Sequence, residues 1–202
     1  MQSAEIDARD AQLIQIVDAA MAEAVRRAGT WLACRLGCSQ CCVGPFPISQ
    51  LDARRLRRGF ADLESTDPAR AARIRSRARE YVARVSPDFP GDPATGILDE
   101  SPEGEARFET FAENEPCPAL DPATGGCELY SARPLTCRRF GPPMRADADL
   151  IVCELCFDGA TDADVESCAV DHDPDGLETA LDDDISKLGA PDGQTIVAFC
   201  LT

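Results

Sequence analysis

Cys34-Arg-Leu-Gly-Cys38-Ser-Gln-Cys41-Cys42 places four thiols within nine residues. A soft metal needs several deprotonated sulfurs converging on one point, and a turn brings residues two or three apart to the same side. Cys34 and Cys38 span such a turn, as do Cys38 and Cys41. Gly37 lets the backbone fold tightly enough for its amide to approach a sulfur. Cys41 and Cys42 are adjacent, and in an extended chain their side chains diverge. Without a bend they do not both ligate one mononuclear ion, so one of them serves a second metal, bridges two, or lies buried.

Seven more cysteines follow. A second block reads Cys117-Pro-Ala-Leu-Asp-Pro-Ala-Thr-Gly-Gly-Cys127-Glu-Leu-Tyr-Ser-Ala-Arg-Pro-Leu-Thr-Cys137-Arg-Arg-Phe, and Cys153-Glu-Leu-Cys156 adds a C-x2-C pair. Gly125-Gly126 predicts a hairpin-like turn ahead of Cys127. C-x2-C alone is shared by zinc knuckles, iron–sulfur sites and thiol redox motifs. Joined to two other blocks it exceeds the four ligands of one tetrahedral site. The set therefore implies two sites, a multinuclear cluster, or spare structural thiols. Cys200 reads as a small buried hydrophobe, while Cys168 stands between that role and ligation. Arg133, Arg138 and Arg139 bracket Cys137, where they can offset thiolate charge or pair with local acids such as Glu128.

Compartment decides how such thiols are read. The start, Met1-Gln2-Ser3-Ala4-Glu5, is acidic and no apolar leader region follows it. The longest apolar runs are a few residues, too short to span a membrane. The expectation is a cytoplasmic chain whose thiols stay reduced, which favours metal or redox chemistry over disulfides. With 202 residues the chain can bury a core without staples. Its net charge of −16 is uneven. Residues 1–85 carry 14 arginines against 10 acids, and residues 86–202 carry 6 basic against 26 acidic groups. So acidic a second half argues against nucleic acid as a partner.

Outward from the first block, Ile6, Leu13, Ile14, Val17, Met21, Ala24, Val25 and Ala28 recur at helical spacing over about 4–28, and Gly29 is a natural stop. Trp31 and Leu32 then re-enter the core. After Gly44-Pro45-Phe46-Pro47, Ser49 and Asp52 form a capping-box pattern, with Leu51, Leu56, Phe60 and Leu63 as the apolar side. Asp67-Pro68 starts another helix, striped by Ile74, Ala78, Tyr81, Val82 and Val85 and ended by Ser86-Pro87. These two helices hold ten arginines, which read as a solvated face or as a docking surface for an acidic partner or the chain's own acidic half.

Residues 86–116 read as loop with one short element around 106–111. Short helices are expected near 162–168 and 177–188, and the β-prone run Gln194–Leu201 predicts an edge strand. The fold expected is mainly α, with N-terminal helices packed on a loop-rich, cysteine-organised metal-binding lobe with little β. Three regions follow: an amphipathic helix over 1–30, the cysteine-cluster domain over 31–157, and an acidic extension over 158–202. Residues 117–157 lack an apolar stripe, so metal binding would supply part of their folding free energy.

His172, the single histidine, lies in the polar turn Asp171-His-Asp-Pro-Asp-Gly and reads as solvated. One histidine excludes three-histidine and HExxH zinc sites. The deaminase H-x-E motif, the G-x-S-x-G elbow, Walker A and the dinucleotide fingerprint are all absent from the sequence.

The first block, followed by Pro45 and Pro47-Ile48-Ser49, resembles the signature of the CxxCxxCC cysteine-cluster proteins, the YkgJ-like family, described as zinc- or iron-chelating. The gap between Cys34 and Cys38 is three residues where the family's name has two. Cys117-Pro-x-Leu and Gly126-Cys127-x-x-Tyr130-x-x-Arg133-Pro134-x-x-Cys137-Arg138-x-Phe140 extend the likeness over about 31–157. The resemblance implies that Cys34, Cys38, Cys41, Cys42, Cys117, Cys127 and Cys137 are metal-site positions, with Cys153 or Cys156 as closing ligands. A related cysteine-cluster region accompanies other sequence in flagellin lysine N-methylases.

Three functions stay open at this point. They are a metal- or cluster-binding protein with no turnover, an iron–sulfur-dependent protein-modifying enzyme, and a thiol redox or metal-handling module using Cys153 and Cys156. All-sulfur ligation suits zinc and iron–sulfur alike; the number of close cysteines favours iron–sulfur.

Overall fold

The computed structural model describes residues 3–35, 37–146, 149–171, 173 and 175–202. It is mainly helical, with seven α-helices and five strands of two or three residues among the described residues. The chain divides into two compact units, one built from Met1–Leu36 and Leu135–Ile185, the other from Gly37–Pro134 and Ser186–Thr202. No described helix is long and apolar enough to cross a membrane.

In the first unit, α1 (Ser3–Ala28) buries Ile6, Leu13, Val17, Met21, Ala24 and Ala28 of the predicted stripe, while Ile14 is half-buried and Val25 exposed. Glu5 in its first turn and Arg26 and Arg27 in its last complement the helix dipole. Trp31 is 36 % exposed, so the chain re-enters the core with Leu32 and not with the indole. The helix packs against α5 (Leu135–Arg138). Arg138 anchors that contact, donating to both carboxylate oxygens of Asp18 at 2.9 Å. Strands β3 (Met144–Ala146) and β4 (Asp149–Ile151) pair antiparallel, and β5 (Val170–Asp171) runs parallel to β3. Between them α6 (Asp162–Ser167) starts on a reciprocal capping box between Thr161 and Asp164. In α7 (Leu177–Lys187), Leu181 and Ile185 are buried, and Arg139 pairs with Glu178 at its start. His172 lies outside the described residues.

In the second unit, α2 (Gln50–Thr66) and α3 (Pro68–Val85) meet at Asp67. Ser49 caps α2 by accepting from the Asp52 amide, and Asp67 caps α3 by accepting from Arg70. The buried Asp52 carboxylate pairs with Arg55 one turn on. The two helices and the cysteine-bearing loops share one apolar core, in which Leu56, Phe60, Ala71, Ile74 and Ala78 meet Ala119, Leu129 and Leu201, with Cys117 and Cys127 packed against it. A second cluster joins Tyr81, Val85 and Phe89 to Phe111 and Ile196 beside the hairpin of β1 (Gly91–Asp92) and β2 (Ile97–Leu98). The short element expected at 106–111 is α4 (Pro102–Phe108), which begins earlier because Ser101 caps it.

The C-terminal run does not form the expected edge strand. Thr195 makes a single antiparallel bridge with Ile48, and the chain then coils into a 3-10 helix over Val197–Cys200. Burial still alternates along the run, with Ile196, Ala198 and Cys200 buried and Val197 and Phe199 half-buried, but the backbone coils after the bridge instead of pairing further.

Candidate metal centre

In the second unit the backbone brings the first and second cysteine blocks together at two points. Cys117 donates its amide to the carbonyl of Cys42 at 2.7 Å, next to a bridge between Val43 and Pro116. Gly37 and Gly125 both take positive φ, +88° and +69°, and a Cβ on Gly125 would lie 3.0 Å from the Gly37 carbonyl oxygen. The predicted turn before Cys127 is present. Asp121 accepts from Ala123 and Thr124, and Leu120 bridges Cys127 across the loop.

Cys41 and Cys42 lie in a 3-10 turn, Gln40–Cys42, closed by the Cys42 amide on the Ser39 carbonyl at 2.8 Å. That turn supplies the bend that adjacent side chains need to face the same way. The neighbouring Cys42 thiol lowers Cys41 to about 7 against the opposing effect of burial, with the Arg133 guanidinium assisting. Cys42 is driven far upward by the neighbouring Cys41 thiol, by burial, and by the proximity of Cys117 and Cys127. Burial pushes Cys117 up to about 12, opposed by hydrogen bonds from the Ala119 and Leu120 amides. Burial likewise raises Cys127, opposed by the Leu129 amide, Arg133 and Arg70. Cys41, Cys42, Cys117 and Cys127 are thus one electrostatically coupled set. Amides two or three residues past Cys117 and Cys127 aim at their sulfurs, an arrangement that stabilises a thiolate or a metal-bound sulfur.

Cys38 belongs to this unit and is half-buried. The first unit holds Cys34, Cys137, Cys153 and Cys156. Cys34 is exposed beside Gly141, where a Cβ would lie 3.7 Å from its sulfur. Cys137 sits on α5. Cys153 and Cys156 share a turn closed by the Cys156 amide on the Cys153 carbonyl at 2.8 Å, and both pack with the buried Cys168 and Phe157. Phe157 carries φ of +62°, a strained value for an aromatic residue, and its amide donates to the Trp31 carbonyl at 2.7 Å. Cys200 is buried in the helical core, as expected. Among the described residues, no three His, Cys, Asp or Glu side chains stand in positions that would together hold a metal ion. A cavity of about 460 Å³ by the β1–β2 hairpin, lined by Asp92, Thr95, Asp99 and Arg107, has no cysteine in its wall.

The arginines take both roles the sequence offered, since Arg133 favours the Cys41 and Cys127 thiolates and others pair with carboxylates. Glu128 pairs with Arg70 and Arg77 of α3, while Arg138 and Arg139 pair with Asp18 and Glu178. Arg133 lies over the Tyr130 ring, 3.9 Å from its centroid. Arg70 and Arg77, buttressing the second block, were not singled out from the sequence. The available signal was their seven-residue spacing, which keeps them on one helix face.

Residues 33–157 match the family model CxxCxxCC, described as "Putative zinc- or iron-chelating domain". No curated protein and no solved structure matches the chain.

Proposed function

The chain belongs to the CxxCxxCC family, and from that premise we propose that it binds a thiophilic metal through Cys41, Cys42, Cys117 and Cys127, with Cys38 in reserve. Cys34, Cys137, Cys153 and Cys156 form a second thiol set in the other unit. The observation that carries this reading is the meeting of the two cysteine blocks, where the Cys117 amide donates to the Cys42 carbonyl at 2.7 Å and Gly125 packs on Gly37. Gathering potential anions in a half-buried place is costly unless a cation offsets them.

The donor set suits the group. It is all sulfur, backed by amide N–H groups and a guanidinium, and it suits zinc or iron and disfavours magnesium or calcium. Four sulfurs with a fifth in reserve suit a structural zinc or an iron–sulfur cluster alike. When bound, the group supplies a fixed cross-link between the two cysteine blocks and, if it is a cluster, a one-electron redox centre. The chain's own residues hold the sulfurs in place, with the Ala119, Leu120 and Leu129 amides fixing where charge rests. Such chemistry belongs in a reducing compartment, and we assign the protein to the cytoplasm.

Anaerobic purification followed by metal analysis and visible spectroscopy tests this. Iron with labile sulfide in a brown protein supports the cluster, and stoichiometric zinc in a colourless one replaces it with a structural site. Cys41→Ser and Cys117→Ser should lose the metal and Cys200→Ser should keep it. An intact fold with no metal and with paired cysteines would sink the reading.

A further inference from the structure

Arg70, Arg77 and Arg84 recur every seven residues along α3, so they lie in one row down the helix. Arg70 and Arg77 reach the second cysteine block. The Arg77 Nε donates to the carbonyl of Pro118 at 2.9 Å, and an Arg70 Nη donates to the carbonyl of Glu128 at 2.7 Å. Pro118 directly follows Cys117, and Glu128 directly follows Cys127. The two guanidiniums therefore grip the equivalent carbonyl beyond each of two cysteines. They also share one carboxylate: Arg70 Nε lies 3.1 Å from Glu128 Oε1, and Arg77 pairs with Oε2. The Glu128 side chain is only 9 % exposed. Arg84 ends the row on Glu115 at 2.7 Å, but that pair is 51 % and 30 % exposed and grips no carbonyl.

The chemistry of the grip is specific. A guanidinium offers a rigid fork of donors, so one arginine can bind a carboxylate and a carbonyl in fixed relation, which a lysine cannot. Glu128 itself is held by its amide on the Ala119 carbonyl at 2.8 Å, so the clamp spans both arms of the loop carrying Cys117 and Cys127. Loop residues between turns have no ladder to fix them, and a ligand loop left loose costs metal affinity.

We propose that Arg70 and Arg77, joined through Glu128, are positioning residues that set the separation and orientation of Cys117 and Cys127 for metal. The proposal rests on the metal-binding reading above and deepens it. It assigns part of the arginine-rich helical face to the chain's own centre.

Cobalt(II) titration of the full-length, reduced, metal-free chain tests it, reading affinity and the thiolate-to-cobalt charge-transfer band that Cys117→Ser removes. Arg77→Gln should weaken cobalt binding about 10- to 100-fold and shift the band. Arg77→Lys should not restore either quantity, and Arg84→Gln should match wild type in both. Should Arg77→Gln fail to fold, Arg77→Lys reads the same two quantities on a milder change. Wild-type affinity and spectrum in the Arg77 variants, whatever their melting temperature, would overturn the proposal, as would an equal loss in Arg84→Gln. A wild-type chain that takes up no cobalt, zinc or iron would overturn the metal-binding reading together with this one.

Discussion

Gly125 meets Gly37 backbone to backbone, with room for no side chain: a Cβ on Gly125 would stand 3.0 Å from the Gly37 carbonyl oxygen. The approach joins the loop before Cys127 to the residue before Cys38. Gly125→Ala adds the cost of a left-handed φ of +69° to that contact. The variant should lose roughly 1–3 kcal/mol of stability, measured by denaturant unfolding, and should bind metal more weakly. Gly126→Ala is the control, because its nearest neighbour, the Thr124 hydroxyl, would be 3.4 Å away and its φ is not positive. Equal losses at the two positions would contradict the argument.

How much of this was written in the residues depends on the range of the interaction. The helices were legible because their information is local. Asp67-Pro68 starts α3, Ser49 caps α2, and the apolar stripes return every three or four residues. The turn at Gly125 was legible for the same reason. The partnership of Glu128 with Arg70 and Arg77 was not, since it spans 58 and 51 residues and any of several arginines satisfied the charge pattern. Nor was the assignment of Cys34 and Cys38, four residues apart, to different compact units. The tail misled because β-branched and apolar residues with alternating burial suit a strand and a half-buried 3-10 turn equally.

Gly59 offers a second packing test, inside α2. Alanine is intrinsically the better helix former by about 1 kcal/mol. A Cβ there would nevertheless fall 2.2 Å from the Ala132 Cβ, so the substitution must push the 3-10 turn Tyr130–Ala132 away. Gly59→Ala should therefore destabilise by roughly 1–3 kcal/mol. Adding Ala132→Gly should recover part of that loss, giving a coupling above about 0.5 kcal/mol in a double-mutant cycle. Strict additivity would show that the two residues do not touch.

Cys200 gives a pH dependence at alkaline pH. Burial raises its thiol from about 9 to about 11, with Arg57 opposing and Asp52 adding to the shift. The folded chain holds this proton more tightly than the unfolded chain. The contribution to stability is therefore fully present below about pH 9 and is lost as pH rises through about 11. Wild type should lose on the order of 2 kcal/mol relative to Cys200→Ala over that interval. Parallel stability curves for the two proteins would show that the thiol ionises as readily folded as unfolded.

The division of the chain also sets a schedule for synthesis. Each unit is assembled from stretches far apart in sequence, and the bridge between Ile48 and Thr195, with Leu201 fully buried, closes the second unit only when its last segment exists. A ribosome adding about 5–20 residues per second needs roughly 8–30 s to travel from Cys42 to Thr195. Until then the core against which Cys117 and Cys127 pack lacks Leu201, so the second cysteine block waits, already made, for a segment more than sixty residues further on before it can reach its final packing.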